Sequence, residues 1–367
     1  MNTEILSSPF YLCIAMICAF FISVTLTPIV RVLAYKFSVT DVPKDGRRMH
    51  KKEMPLMGGL AIYFAFVLCT LIFSDIDRKI VGMLLGATLI VLTGIIDDKY
   101  NMKAIIKFVL QILAGVITVL SGIEIEMIGL FGNYIAFGKW SGVITVVWIV
   151  ALTNAINLID GLDGLSCGVS TISCFTLLFS LFNSDVNFSI IVLIGILAGS
   201  CLGFLPFNFN PAKIFMGDTG ALFLGYIMSV LSILGCFKLN ALVSFWVPFL
   251  IFALPLLDTA FAFTRRILTG RSPFSADRGH VHHRLIDKGF DQKHSVLLLY
   301  AVSGISGISA ILISMDNYIG GAAMFVVAIA VLILNLSFGS DANGLLKTGR
   351  KEDNSDITAD NTDKTDK

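Results

Sequence analysis

Charge is what this chain has least of. Only 14% of its 367 residues are Asp, Glu, Lys or Arg, against 56% hydrophobic residues. A soluble domain carries roughly a quarter charged residues, so a soluble fold is excluded. Strict alternation is missing from the apolar runs, which excludes a lipid-facing barrel. The seven cysteines include no CxxC pair. Six lie inside apolar runs and Cys167 at the edge of one, so they read as small apolar helix residues, not as a disulfide or zinc framework. No repeat of fixed period is visible. No Lys or Arg precedes Arg31, so the first apolar run lacks the basic flank of a cleaved signal peptide. A net charge of +1 supplies no strong field of either sign, and no nucleic-acid partner is expected.

What the chain does have is apolar runs long enough to cross a bilayer, for which about 20 residues suffice. They fall at about 9–35, 55–74, 80–96, 104–121, 141–159, 165–182, 188–206, 219–237, 241–264, 296–315 and 317–338. The fold expected is all-α, a polytopic membrane helical bundle of about eleven transmembrane helices. Lys and Arg concentrate in the connections 36–54 and 265–295, while the alternate connections hold only Arg78, Lys79, Lys139 and Lys238. By the positive-inside rule the N-terminus is outside and the C-terminus cytoplasmic. An integral membrane domain is expected over 1–339. The polar, mixed-charge segment 340–367 is expected to be a disordered cytoplasmic tail.

The polar clusters all fall on the side assigned to the cytoplasm. Asp97 and Asp98 end the third run in "IIDDKYNMK". Adjacent carboxylates repel, so ionising both needs a cation or ample water; the plain alternative is a solvated helix end beside Lys99 and Lys103. "NLIDGLDG" sets Asn157, Asp160 and Asp163 at spacings of three. If the helix continues they share a face; if Gly161 and Gly164 break it, the backbone can approach a ligand closely. The plain alternative is a tight turn with solvated aspartates. Asp218, in "FMGDTG", suits either a helix N-cap or a Mg²⁺ ligand working with water and substrate phosphates. Phe215 just before it is placed to stack on a base or to make ordinary core contacts.

"HVHH" holds His280, His282 and His283 between Arg278 and Arg284. The spacing lacks HExxH and no cysteine is near, so phosphate binding by charge-assisted donors is favoured over zinc. A titrating surface loop is the plain alternative. Lys107 is either a phosphate-binding cation or a lysine snorkelling from lipid. Carboxylates for a metal, cations for phosphates and apolar helices beside both suit a soluble nucleotide-linked diphosphate reacting with a membrane-embedded phosphate.

Five segments in order resemble the polyprenyl-phosphate N-acetylhexosamine-1-phosphate transferases, glycosyltransferase family 4. They are "DVPKDGRRMHKKEMPLMGG", "GIIDD", "NAINLIDGLDGL", "FMGDTG" and "SPFSADRGHVHH", and the likeness extends over about residues 10–335. The histidine motif is similar to that of the branch using UDP-N-acetylglucosamine, which initiates teichoic acid or surface polysaccharide synthesis. The muramoyl-pentapeptide branch builds it differently. The resemblance implies transfer of N-acetylglucosamine 1-phosphate from UDP-N-acetylglucosamine to undecaprenyl phosphate, releasing UMP, at the cytoplasmic face of the cell membrane. Another UDP-N-acetylhexosamine, or UDP-muramoyl-pentapeptide, is the alternative donor.

The resemblance also implies Mg²⁺, with Mn²⁺ as a substitute, held by Asp218. Asp97 would activate the lipid phosphate, with Asp98 in support. Asn157, Asp160, Asp163 and Phe215 would form the nucleotide pocket. His280, His282, His283 and Arg278 would clamp the diphosphate and sugar, with Lys107 a further phosphate contact. A homodimer is compatible with such a bundle. A transporter of nucleotide sugars or lipid-linked sugars would instead need polar groups near the midplane or an inverted repeat, and neither is visible. A zinc metalloprotease built on HVHH would require bound zinc.

Overall fold

The computed structural model describes residues 8–42, 53–130, 133–182, 184, 186–238, 245–270 and 279–338. The segment 43–52, Arg278 and the tail expected over 340–367 lie outside the described residues.

Helix dominates because apolar segments in a membrane must satisfy every backbone N–H and C=O within themselves. The helices are α1 (Pro9–Lys36), α2 (Gly59–Phe73), α3 (Arg78–Tyr100), α4 (Ala104–Leu120), α5 (Ser141–Ile159), α6 (Leu165–Leu181) and α7 (Phe188–Asn208). They continue with α8 (Gly217–Gly235), α9 (Trp246–Ile251), α10 (Ala253–Leu268), α11 (Val281–Asp287), α12 (Gln292–Ser314) and α13 (Tyr318–Phe338). Among the described residues, seven helical segments are long and apolar enough to cross a membrane: α1, α3, α5 with its leading turn, α7, α8, α12 and α13. Three shorter apolar helices, α2, α4 and α6, accompany them. Several starts carry side-chain caps. Asp77 Oδ1 accepts from Ile80 N at 2.8 Å, and Asp291 Oδ1 from His294 N at 3.0 Å.

Helix α8 is the hub. Its apolar window is 89% buried, whereas that of α13 is 11% buried. It packs on α3, α5 and α2. Close approach at its start is set by glycine: a Cβ on Gly94 of α3 would strike the Thr219 backbone, and one on Gly59 would strike Gly220. Two short strands, β1 (Thr40–Asp41) and β2 (Met54–Pro55), pair antiparallel, Thr40 with Pro55 and Asp41 with Met54. From there Pro55 O accepts Phe215 N at 2.9 Å, and Gly58 N and Gly59 N donate to Phe215 O and Met216 O, each at 3.0 Å. The chain leading into α8 is thereby fixed. Between α4 and α5, β3 (Met127–Leu130) and β4 (Asn133–Ala136) form a hairpin.

The run expected at 241–264 is not one helix. It breaks at Phe252 (φ −104°, ψ 19°) into α9 and α10. Pro255 lacks the N–H that would bond Ile251 O, and Ser173 Oγ of α6 donates there instead at 3.3 Å. The short helix α11 is a second departure: its residues were expected to form a connection.

Candidate active site

Lys107, near the start of α4, points inward. Its Nζ donates to Asp97 Oδ2 of α3 and to Asp218 Oδ2 of α8, both at 2.8 Å. Asp97 is 8% exposed and Lys107 21%, so this is neither a solvated helix end nor a snorkelling lysine. The other Asp97 oxygen accepts Met102 N at 2.6 Å. Asn101, in the left-handed region at φ 52°, turns the chain so that Met102 can reach it. Asp218 Oδ1 accepts from Asn157 Nδ2 of α5 at 3.1 Å. Side chains from α3, α4, α5 and α8 thus meet at one carboxylate–ammonium–carboxylate centre.

Asp98 does different work. It accepts from Asp218 N at 2.8 Å, Thr219 N at 3.2 Å and Thr219 Oγ1 at 2.6 Å. It therefore caps α8 from a neighbouring helix, and Asp218 is spared from capping its own. Gly217, at φ 70°, leaves no room for a Cβ against the Asp98 carboxylate.

In NLIDGLDG the helix does not continue. α5 ends at Ile159, Asp160 caps it, and Gly164 at φ 79° leads into α6. Asp163 Oδ2 accepts Asn210 Nδ2 at 3.0 Å and Ala212 N at 3.1 Å, tying down the turn between α7 and α8. Asn210 Nδ2 also donates to Gln292 Oε1 at 2.9 Å, and Tyr300 OH to Gly164 O at 2.5 Å. No donor among the described residues reaches the Asp160 carboxylate. Burial pushes its pKa well above the usual carboxylate range, with Asp218, Asp98 and Asp163 adding their charge.

The histidine segment lies against this turn. His282 is 2% exposed and its Nε2 has no hydrogen-bond partner among the described residues. A Cβ on Gly161 would collide with that nitrogen, so the imidazole rests on the glycine between Asp160 and Asp163. Burial, helped by His283, lowers the His282 pKa to about 3, which keeps the ring neutral. His282 stacks on His280 with ring centroids 5.8 Å apart and planes 10° apart, and lies 4.3 Å from the His283 ring. Phe215 is half-buried beside the start of α8. Arg278, the remaining candidate, lies outside the described residues.

Sequence reading missed Asp258. It sits on α10, 5% exposed, with Oδ2 at 2.8 Å from His280 Nδ1 and Oδ1 accepting Val281 N at 2.8 Å. The signal was present, since a lone carboxylate inside an apolar run marks a functional position. Among the described residues no three His, Cys, Asp or Glu side chains form a group ready to hold a metal ion. That leaves room for a hard cation that takes few protein ligands and completes its shell with water and substrate oxygens.

The comparisons with known proteins cover part of this site. Residues 80–236 match the model of glycosyl transferase family 4, a stretch containing Asp97, Lys107, Asn157 and Asp218. The chain is 39% identical over 85% of its length, and 87% of the relative's, to the probable undecaprenyl-phosphate N-acetylglucosaminyl 1-phosphate transferase of Bacillus subtilis. It is 35% identical over 77% of both chains to the decaprenyl-phosphate N-acetylglucosaminephosphotransferase of Mycolicibacterium smegmatis. It is 29% identical over 89% of its length and 98% of the relative's to the undecaprenyl-phosphate alpha-N-acetylglucosaminyl 1-phosphate transferase of Thermotoga maritima. The chain therefore belongs to the polyprenyl-phosphate N-acetylhexosamine-1-phosphate transferases of glycosyl transferase family 4, and is a multi-pass membrane sugar-phosphate transferase with a polyprenyl-phosphate acceptor.

Proposed function

We propose that this protein transfers N-acetylglucosamine 1-phosphate from UDP-N-acetylglucosamine to undecaprenyl phosphate at the cytoplasmic face of the cell membrane. The observation that carries the reading is the meeting of Asp97, Lys107 and Asp218 within 2.8 Å contacts, beside apolar helices. An oxygen of the lipid phosphate attacks the β-phosphorus of the donor. The bond from that phosphorus to the bridging oxygen breaks, and the oxygen leaves with UMP. One diphosphate linkage replaces another, so the chemistry needs positioning and charge neutralisation above all. In this reading about eleven apolar runs span the membrane, and the Lys and Arg distribution supports an outside N-terminus with the polar clusters on the inner side.

The residues fit a magnesium ion. Two carboxylate oxygens from separate helices already converge on one positive atom, each 2.8 Å from Lys107 Nζ. When bound, Mg²⁺ would neutralise the diphosphate charge and template the displacement. Asp218 is the ligand in this reading, held in orientation by Asn157 and by the Asp98 cap behind it. Asp97 takes the proton from a monoanionic lipid phosphate on Oδ2. Lys107 keeps the two carboxylates together and meets incoming phosphate oxygens. The Asp160 and His282 turn faces the nucleotide sugar.

The test is UMP release by the purified protein in detergent with undecaprenyl phosphate. UDP-N-acetylglucosamine should support turnover. UDP-N-acetylgalactosamine and UDP-muramoyl-pentapeptide should support little. Preference for either of the latter would replace the donor assignment while leaving the reaction class standing.

A further inference from the structure

The histidine segment is gripped by one face of α10. Asp258 spends one oxygen on the His280 ring and the other on the Val281 backbone, each contact at 2.8 Å. Seven residues on, two helical turns along the same face, Arg265 Nη1 donates to Gly279 O at 3.1 Å. A Cβ on Gly279 would collide with that guanidinium. Three consecutive residues, Gly279, His280 and Val281, are therefore registered against a single helix.

A mere backbone pin would need only the Val281 contact. The second Asp258 oxygen instead takes Nδ1 of a 4% exposed imidazole. A carboxylate on one ring nitrogen fixes the ring's orientation and leaves the other nitrogen to act. No partner for His280 Nε2 is found among the described residues. The ring also stacks on His282, which rests on Gly161 beside Asp160. A shift of His280 would travel through that stack into the DGLDG turn.

We infer that Asp258 is the positioning residue of the donor site. It holds His280 by Nδ1 so that Nε2 faces the donor nucleotide sugar, and it steadies His282 through the stacked rings. The inference rests on the donor reading above.

The experiment is a double-mutant cycle on full-length protein in detergent, following UMP release with thermal unfolding as the fold check. Asp258→Ala should lower kcat/KM for the nucleotide sugar by about 10- to 100-fold, as loss of an orienting partner commonly does. If Asp258 acts through His280, the D258A/H280A pair should fall no further than H280A alone. Asp258→Asn keeps one acceptor for two donors and should lose less than D258A. It also supplies the cycle with H280A should D258A fail to fold. A folded D258A within about twofold of wild type would overturn the inference, as would losses that multiply in the double variant. Wild-type protein releasing no UMP would overturn the donor reading and the inference together. Normal wild-type turnover with an unaffected D258A would overturn the inference alone.

Discussion

Asp97, Lys107 and Asp218 neutralise one another at 2.8 Å, whereas His282 is 2% exposed with its Nε2 unpartnered and no counter-charge in hydrogen-bond contact. The first region is charged and closed: each carboxylate has a cation and a donor, and the side chains of Asp97, Lys107, Asn157 and Asp218 come from four different helices. The second centres on an uncharged His282 ring, steadied through His280 by Asp258 from behind, with no partner for its Nε2 among the described residues. A closed charge cluster suits groups that must keep fixed geometry while phosphate charge moves among them. An incomplete polar surface suits the recognition of a ligand that brings its own hydrogen-bonding groups, because an unpaired buried polar atom is costly until something pairs it.

Substitutions can break this contrast from either side. Lys107→Met removes the cation that bridges two carboxylates and leaves an uncompensated charge that costs about 3–5 kcal/mol when fully buried. UMP release should fall by about 100-fold or more, while the Mg²⁺ concentration needed for half-maximal rate should drop, because two carboxylates now lack their counter-ion. An unchanged metal requirement would detach Lys107 from the ion site. Asp98→Asn turns an acceptor of three donors into one with a competing N–H₂. It should lower kcat by about 100-fold through a misplaced Asp218 and reduce thermal stability, both readable on one preparation.

Gly161→Ala probes the second region. Its methyl group must displace His282, so KM for the nucleotide sugar should rise by about tenfold with a smaller change in kcat. A kcat loss at constant KM would place the histidines with the chemical step instead.

The smallest effect is on stability. The His282 pKa is about 3 in the folded protein, against roughly 6.5 in an unfolded chain. The unfolded chain binds more protons between those values, so stability is full above about pH 6.5 and is lost as pH falls through the window. At pH 5 the loss is about 2 kcal/mol. His282→Gln should flatten the fall in melting temperature between pH 7 and 5. An unchanged slope would mean the ring is protonated in the fold.

Much of the bundle was legible because lipid imposes one rule on every apolar run. The expected run 141–159 is α5 residue for residue, and 104–121 differs from α4 by one residue at the end. The break at Phe252 was not read, although Pro255 announces a missing N–H; the step turns on a hydroxyl, Ser173, that only packing supplies. At the site, residue types showed which chemistry was available but not which atoms meet. Asp97 and Asp98 are neighbours in sequence, yet a helix sends adjacent side chains about 100° apart. One reaches Lys107 and the other caps α8. Asp163 was expected in the nucleotide pocket, and its Oδ2 holds the turn at Asn210 and Ala212. Asp258 was hidden because an apolar run draws attention to its length and not to its single exception.

The central claim is that Asp218, poised between Lys107 and Asn157, is where phosphoryl transfer occurs. It is tested most directly by UMP release from purified protein in detergent, supplied only with UDP-N-acetylglucosamine, undecaprenyl phosphate and Mg²⁺, comparing wild type with Asp218→Asn. The account predicts steady release by wild type that stops on chelation, and a loss of about 1,000-fold in a variant that still melts cooperatively. Release by folded Asp218→Asn at the wild-type rate would contradict it.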